Sequence, residues 1–235
     1  MNQIPDQSLL KPTIGAAYGH GWKQMWKYFL ELLLITIISF LITLPAFGLY
    51  DENFAEAVSE YVSIDLILVE FHGVFAYSMM AIAFLILVEW PLEYGMSYGF
   101  LRASRNQSLQ VKDIFYSFKN YLNTVYANLL AAVIVGVGVV LIIVPGIIFA
   151  CKLAFVPYLV VDRQMDAISA IKTSWNLTRG HVMQIFLMGV LAFFVGLLGL
   201  ILLGVGLILS IIWIRLSFAS FYYAVVEAQT NVTET

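Results

Sequence analysis

The stretch YANLLAAVIVGVGVVLIIVPGIIFACKLAFVPYLVV, residues 126–161, decides the fold. It is nearly unbroken in its apolar character, and it is much longer than the roughly 20 residues that one membrane-spanning helix needs. A proline followed by glycine marks a turn, so Val144–Gly146 divides the stretch into two spans. The stretch therefore predicts a membrane protein whose helices are paired as hairpins.

The composition of the whole chain agrees with a membrane protein. Hydrophobic residues make up 61% of the 235 residues and charged residues only 11%, whereas a soluble domain carries about 25% charged residues. The mean hydropathy is +0.89. Cys151 is the only cysteine, which excludes an internal disulfide.

The remaining apolar runs predict four more spans. Phe29–Leu49 fits one helix, and Val74–Phe100 fits a second with a kink at Pro91. His181–Val226 is again too long for one span and divides at Gly204–Gly206. We therefore expect an all-α integral membrane protein with six transmembrane helices in three hairpins.

The positive charges predict the orientation of these spans. Lysine and arginine concentrate before the first span and in the loops after the second and fourth spans, whereas Ala46–His72 has neither. That loop carries six acidic residues: Asp51, Glu52, Glu56, Glu60, Asp65 and Glu70. Because positively charged loops stay in the cytoplasm, both termini are expected inside. One membrane domain, residues 1–235, then comprises a cytoplasmic segment (1–28), the bundle (29–227) and a short tail (228–235).

A polar, amphipathic segment, AISAIKTSWNLTRGH at residues 167–181, lies between two apolar runs. Its apolar residues recur with helical spacing, with Asp166 as N-cap and Gly180 as stop. Similar stripes precede the third span (Val111, Ile114, Phe115 and Phe118) and the first span (Ile14, Tyr18, Trp22, Met25 and Trp26). We interpret all three as surface helices on the cytoplasmic side, each preceding a hairpin and forming an internal repeat; the alternatives are ordinary linkers and a chance likeness of composition. The interfacial anchors would be Trp22, Trp26, Phe115 and Trp175.

Four charged residues fall inside predicted spans at similar depth, and they form the candidate polar cluster: Glu89, Glu93, Lys152 and Arg215. Charges in the hydrocarbon are costly and mark functional sites by default. One interpretation is a cavity for a lipid headgroup, ion or small substrate. The other is a set of ion pairs that neutralise one another and fix the helix packing.

No other pattern of chemical interest is present. The three histidines, His20, His72 and His181, fall in separate regions, and no zinc-ligand spacing, phosphate loop or nucleophile elbow occurs. We therefore expect no catalytic residue, metal or cofactor, and no nucleic acid partner. Membrane lipids and a membrane-protein partner are the expected contacts.

Several segments together resemble a known group: Trp90–Arg105, Asp113–Phe118, Val144–Asp162 and residues 167–181. They are similar to uncharacterised bacterial and archaeal multi-pass membrane proteins related to the membrane domain of glycerophosphodiester phosphodiesterases. The resemblance implies this fold and the plasma (inner) membrane of a prokaryote. It transfers no catalytic residue, because the phosphodiesterase of the fused enzymes is a separate soluble domain without a counterpart here.

Three functions remain open at this point. The first is a non-catalytic scaffold or accessory subunit, which fits the lack of a catalytic constellation. The second is a small transporter, channel or lipid-handling protein that uses the polar cluster. The third, an enzyme acting on lipid, has only the paired carboxylates Glu89 and Glu93 in its favour.

Overall fold

A computed structural model describes residues 10–48, 79–141, 143–201 and 205–233, and these residues form helices without any strand. Nine α-helices and one 3₁₀ helix follow one another within these ranges: α1 (Ile14–Lys27), α2 (Phe29–Gly48), α3 (Met79–Ser104), the 3₁₀ helix (Val111–Asn120), α4 (Tyr121–Leu141), α5 (Ile143–Leu153), α6 (Val156–Asp162), α7 (Ala167–Leu177), α8 (Val182–Ile201) and α9 (Val205–Thr233). The acidic loop lies outside the described residues.

Within the described ranges, five helical segments are long and apolar enough to cross a membrane. They are α3, the 3₁₀ helix with α4, α5 with α6, α8, and α9. Helices α1 and α2 meet at an angle of 92°, and they give a sixth segment when the bent pair is counted as one. The prediction of an all-helical protein is therefore confirmed for the described residues, which contain five to six helices long and apolar enough to span a membrane.

The predicted turn at Val144–Gly146 is wrong by a few residues. Helix α5 already begins at Ile143, so Pro145 and Gly146 lie in its first turn. Proline is tolerated there because the first backbone N–H groups of a helix have no partner within the helix. Gly146 instead lets α4 and α5 approach, since a Cβ added there would lie 2.7 Å from the Val139 backbone nitrogen.

The surface segment after Asp162 forms the predicted helix, and its fully buried residues lie beside the apolar stripe. Asp166 caps α7 by accepting a hydrogen bond from the Ser169 amide at 3.1 Å, and Gly180 has a φ of +82°. The buried face consists of small or slender residues: Ala167, Ala170, Ser174 and Leu177. Of the apolar residues on the neighbouring face, Ile168 is 50% exposed, whereas Ile171 and Trp175 are half-buried and pack against the core.

Several helix ends meet at one end of the bundle, which we call the basic end (Lys27, Arg105, Asp162 and Tyr222). The Lys27 Nζ donates to Asn106 Oδ1 at 2.6 Å. The Arg105 guanidinium donates to both carboxylate oxygens of Asp162, one of them at 2.8 Å, and the Tyr222 hydroxyl donates to the same carboxylate at 3.0 Å. The N-terminal end of α2, the C-terminal ends of α3 and α6, and the C-terminal half of α9 therefore lie on the same side.

Candidate functional site

The structure brings three of the four residues of the predicted polar cluster to one pocket. Glu89 and Glu93 reach it from α3, and Arg215 reaches it from α9. Arg215 Nη2 lies 3.7 Å from Glu93 Oε1, which is an ion pair but too long for a hydrogen bond. Among the described residues, Glu89 has no ion-pair partner.

The backbone of α3 is irregular where it carries the two glutamates. Residues Leu85–Glu89 form a π-helical turn, and Pro91 follows after Trp90. Pro91 has no N–H to donate to the Leu87 carbonyl four residues earlier. The Tyr121 hydroxyl donates to that carbonyl instead, at 3.0 Å, and the Ser117 hydroxyl donates to the Pro91 carbonyl. The kink expected at Pro91 is thus a π-helical turn just before it, which hydrogen bonds from the 3₁₀ helix and α4 stabilise. Turns of this kind frequently occur at functional sites.

Helix α2 supplies a row of hydroxyl groups to the opposite wall of the pocket. Thr36, Ser39 and Thr43 are spaced by three and four residues, so they lie on one face of the helix. This row was not predicted from the sequence, although three hydroxyl residues at helical spacing inside an apolar run are a signal for a polar helix face. Each hydroxyl donates to a backbone carbonyl of its own helix.

The pocket has a volume of about 210 Å³. It is partly open, because the Glu93 and Arg215 side chains are 47% and 34% exposed. Its lining contains two carboxyl groups, those of Glu89 and Glu93, and one positively charged group, the Arg215 guanidinium. The lining residues come from α2, α3 and α9: Thr36, Ser39, Phe40, Thr43, Glu89, Leu92, Glu93, Met96, Ile211 and Arg215.

The fourth residue of the predicted cluster, Lys152, lies elsewhere, and the expectation that all four charges neutralise one another is wrong. Its Nζ lies 4.0 Å from the centroid of the Trp175 ring, a cation–π contact. Helices α5 and α6 together make up one spanning segment, which is interrupted after Leu153. The first part of this segment, α5, packs against α7 and brings Lys152 to Trp175. The Ser174 hydroxyl donates to the Lys152 carbonyl at 2.7 Å, which satisfies an acceptor freed by the break.

The predicted interfacial anchors lie at the surface of the protein in three places. Trp22 and Trp26 are 44% and 55% exposed and contact each other edge to face, and Phe115 is 48% exposed. Trp175 is partly covered by Lys152 and by Phe149, whose ring centroid is 5.5 Å away. Their role at a membrane surface stays a prediction.

The polar groups of the pocket can bind a ligand. Among the described residues, no group of three or more histidine, cysteine, aspartate or glutamate side chains is placed to hold a metal ion. The pocket combines carboxylates, hydroxyl oxygens and one guanidinium on predominantly apolar helices. Such groups recognise a charged or strongly polar ligand.

Fold and pocket together define an all-helical protein with several apolar spanning segments around a polar pocket. Residues 115–234 match a domain of unknown function, DUF7847, and the chain belongs to this family. Arg215 lies inside the matched region, whereas the pocket residues of α2 and α3 lie before it. No curated protein and no solved structure matches the chain.

Proposed function

We propose that this protein is a non-catalytic membrane protein that binds a charged ligand in the pocket between α2, α3 and α9, as a small transporter or a lipid-handling protein does. One observation carries the proposal: carboxylates, a guanidinium and hydroxyl oxygens line a single open pocket within apolar helices. Charged groups placed there solely for helix packing would be expected to pair tightly. The 3.7 Å contact of Arg215 with Glu93 and the unpaired Glu89 favour a ligand site instead.

The proposal includes an arrangement in the membrane. Six spans would form three hairpins, each preceded by a surface helix, with both termini in the cytoplasm of a prokaryote and the hairpins in its plasma membrane. The hydrogen bond between Lys27 and Asn106 and the ion pair between Arg105 and Asp162 support this arrangement, because they join the segments that are expected to be cytoplasmic. Kinship with the membrane domains of glycerophosphodiester phosphodiesterases stays a proposal based on the resemblance.

Gentle purification from native membranes, followed by mass spectrometry of bound lipids and small molecules, tests the binding function. A species should accompany the wild-type protein in stoichiometric amount and be lost from Glu89→Gln if it is a cation or from Arg215→Gln if it is an anion. Glu31→Gln and Lys152→Gln are the matched controls, because each removes a charge of the same sign outside the pocket. If Glu89→Gln and Arg215→Gln both retain the same species, the pocket does not bind it.

A second candidate function, a scaffold or accessory subunit, is favoured by two poorly covered helices. In the most apolar windows of α8 and of the 3₁₀ helix with α4, only 17% of the residues are buried, compared with 56% in α9. On α8, Phe193 and Leu198 are each 63% exposed. A photo-crosslinking residue at Phe193 should capture one protein partner if this function is correct, and only lipid if it is not.

A further inference from the structure

We propose that the ligand of the pocket carries a primary ammonium group and that Glu89 is the residue that holds it. This inference rests on the proposed binding function and adds the chemical class of the ligand. Three features of the pocket support it: the hydrogen-bonding state of the hydroxyl row, the balance of charges, and the volume.

The hydroxyl row presents acceptors and no donors to the pocket. Thr36 Oγ1 donates to the Leu32 carbonyl at 2.8 Å, and Ser39 Oγ donates to the Ile35 carbonyl at 2.8 Å. Thr43 Oγ1 likewise lies 3.1 Å from the Ser39 carbonyl. A hydroxyl has one hydrogen and two lone pairs, so these three oxygens have only lone pairs left for a ligand.

The balance of charges leaves one carboxylate in excess. The sequence predicted two acids and two bases, but Lys152 lies on the Trp175 ring and takes no part in the pocket. Arg215 is closest to Glu93, which leaves Glu89 without a cation among the described residues. An unpaired carboxylate within a spanning segment is unfavourable, and a cationic ligand at Glu89 removes that penalty.

The volume indicates what kind of cation fits. A cavity of about 210 Å³ has room for about seven water molecules at about 30 Å³ each, which exceeds the needs of a bare ion. A primary ammonium has three N–H donors, which one carboxylate and two hydroxyl oxygens satisfy. A quaternary ammonium has no such donors. An anion would find donors only at Arg215, and elsewhere in the pocket it would face the lone pairs of the hydroxyl row and the excess carboxylate. The ammonium could belong to the ethanolamine headgroup of a lipid or to a free amine.

The test measures how fast a thiol in the pocket reacts with a neutral maleimide. Met96→Cys in a Cys151→Ala background places the thiol in the lining without removing an acceptor. The protein is held in nanodiscs of phosphatidylcholine, and 2-aminoethanol, choline or glycerol phosphate is added. We expect 2-aminoethanol to slow the reaction and the other two to leave its rate unchanged.

Variants assign the effect to Glu89. Glu89→Gln should raise the 2-aminoethanol concentration for half protection by roughly tenfold or more, because a charge-assisted hydrogen bond is lost. Glu89→Asp keeps the charge and should retain protection. Glu31→Gln, the same change on α2 outside the pocket, is the control. If Glu89→Gln does not fold, Thr36→Val serves in its place and should also weaken protection.

The outcomes separate the ligand class from the binding function. Slow reaction in phosphatidylethanolamine nanodiscs without added amine identifies the lipid as the source, and slowing only by added 2-aminoethanol identifies a free amine. Equal protection by choline, or a rate that neither the added compounds nor phosphatidylethanolamine changes, overturns the ammonium inference. Protection only by glycerol phosphate overturns the inference but leaves a ligand pocket. A thiol that never reacts shows a closed pocket, and then both proposals fail.

Discussion

Gly95 shows how a single residue fixes the position of the surface segment that precedes α4. A Cβ at this position would lie on the carbonyl oxygen of Ile114, and the carbonyl carbon of Ile114 would be 2.5 Å away. The obstacle is backbone and not a flexible side chain, so no rotamer change relieves it. The 3₁₀ helix can therefore rest on α3 only where α3 has no side chain.

Gly95→Ala is expected to destabilise the protein by about 1–3 kcal/mol, the usual cost of overpacking, because the two helices must separate. The thermal midpoint in detergent, followed by size-exclusion chromatography, measures the loss. Gly136→Ala is the matched control: no atom lies within 4 Å of the added Cβ, and alanine is the better helix former. Equal midpoints for both variants would contradict the proposed contact.

At the same scale, the sequence predicted which charges are unusual but not where each one goes. Lysine, arginine and glutamate stand out inside apolar runs because burying a charge is costly. The partner of Lys152 depends on how α5 is rotated and where the span breaks, and neither follows from spacing along one helix. The lysine side chain is long and flexible enough to reach an aromatic ring instead of a carboxylate. The predicted cluster of four charges therefore wrongly included Lys152.

Helix α1 is held against α9 by backbone groups as well as side chains. The Trp213 indole donates to the Tyr18 carbonyl at 3.0 Å, and a Cβ at Gly21 would lie 3.0 Å from the Ser217 backbone nitrogen. His20 Nδ1 lies 3.0 Å from the Ser220 hydroxyl oxygen, and the Gln24 amide nitrogen lies 3.2 Å from His20 Nε2. A neutral imidazole fits these contacts, with Nε2 accepting from the Gln24 amide and Nδ1–H donating to Ser220.

The docking of α1 should weaken in acid. Burial, and then the nearby Lys23, lower the pKa of His20. A folded pKa below that of the unfolded chain means that the unfolded chain binds the proton more readily, so stability is complete above about pH 6.5 and falls as the pH falls. The thermal midpoint should drop between about pH 7.5 and pH 5.5.

His20→Asn provides the control for this pH dependence, because an amide can donate to Ser220 and does not titrate. The variant should show a shallower drop in thermal midpoint than the wild-type protein over the same range. Identical pH profiles would mean that His20 does not couple to folding.

Element boundaries and faces were less predictable than the presence of the helices. Val111, Ile114, Phe115 and Phe118 were expected on one face because an α-helical period was assumed. In the 3₁₀ helix, residues three apart are aligned, so Ile114 is buried while Phe115 and Phe118 form an exposed row that continues to Tyr121. The hydrophobic pattern did not distinguish the two helix types, because tertiary contact at Gly95 and Ser117 selects between them.

For the molecule as a whole, the distribution of lysine and arginine predicts the orientation, and cysteine labelling tests it. In a Cys151→Ala background, Ala55→Cys in the acidic loop should react with a membrane-impermeant maleimide on intact cells. Gln107→Cys, beside Arg105 at the basic end, should react only after the membrane is opened. Labelling of Gln107→Cys on intact cells would reverse the proposed orientation.

The class of the molecule was the most predictable property, because composition alone excludes a soluble domain. The long apolar runs required several spans, and residues 10–48, 79–141, 143–201 and 205–233 contain five to six helices that meet the requirement. The pocket was less predictable, because its lining comes from three helices whose relative positions the sequence pattern does not give. Only contacts between segments far apart in sequence, such as Glu93 and Arg215, define it.

Two backbone carbonyl groups that accept hydrogen bonds from side chains, those of Leu87 in α3 and Lys152 at the end of α5, have a consequence for biosynthesis. The Leu87 carbonyl depends on Tyr121, 34 residues later, and the Lys152 carbonyl depends on Ser174, 22 residues later. While the chain is being synthesised, each of these two carbonyl groups would therefore lack its side-chain donor until Tyr121 or Ser174 has been added. Each of the two segments gains this hydrogen bond only from a later part of the chain. The order of translation would therefore also be the order in which these segments become stable in lipid.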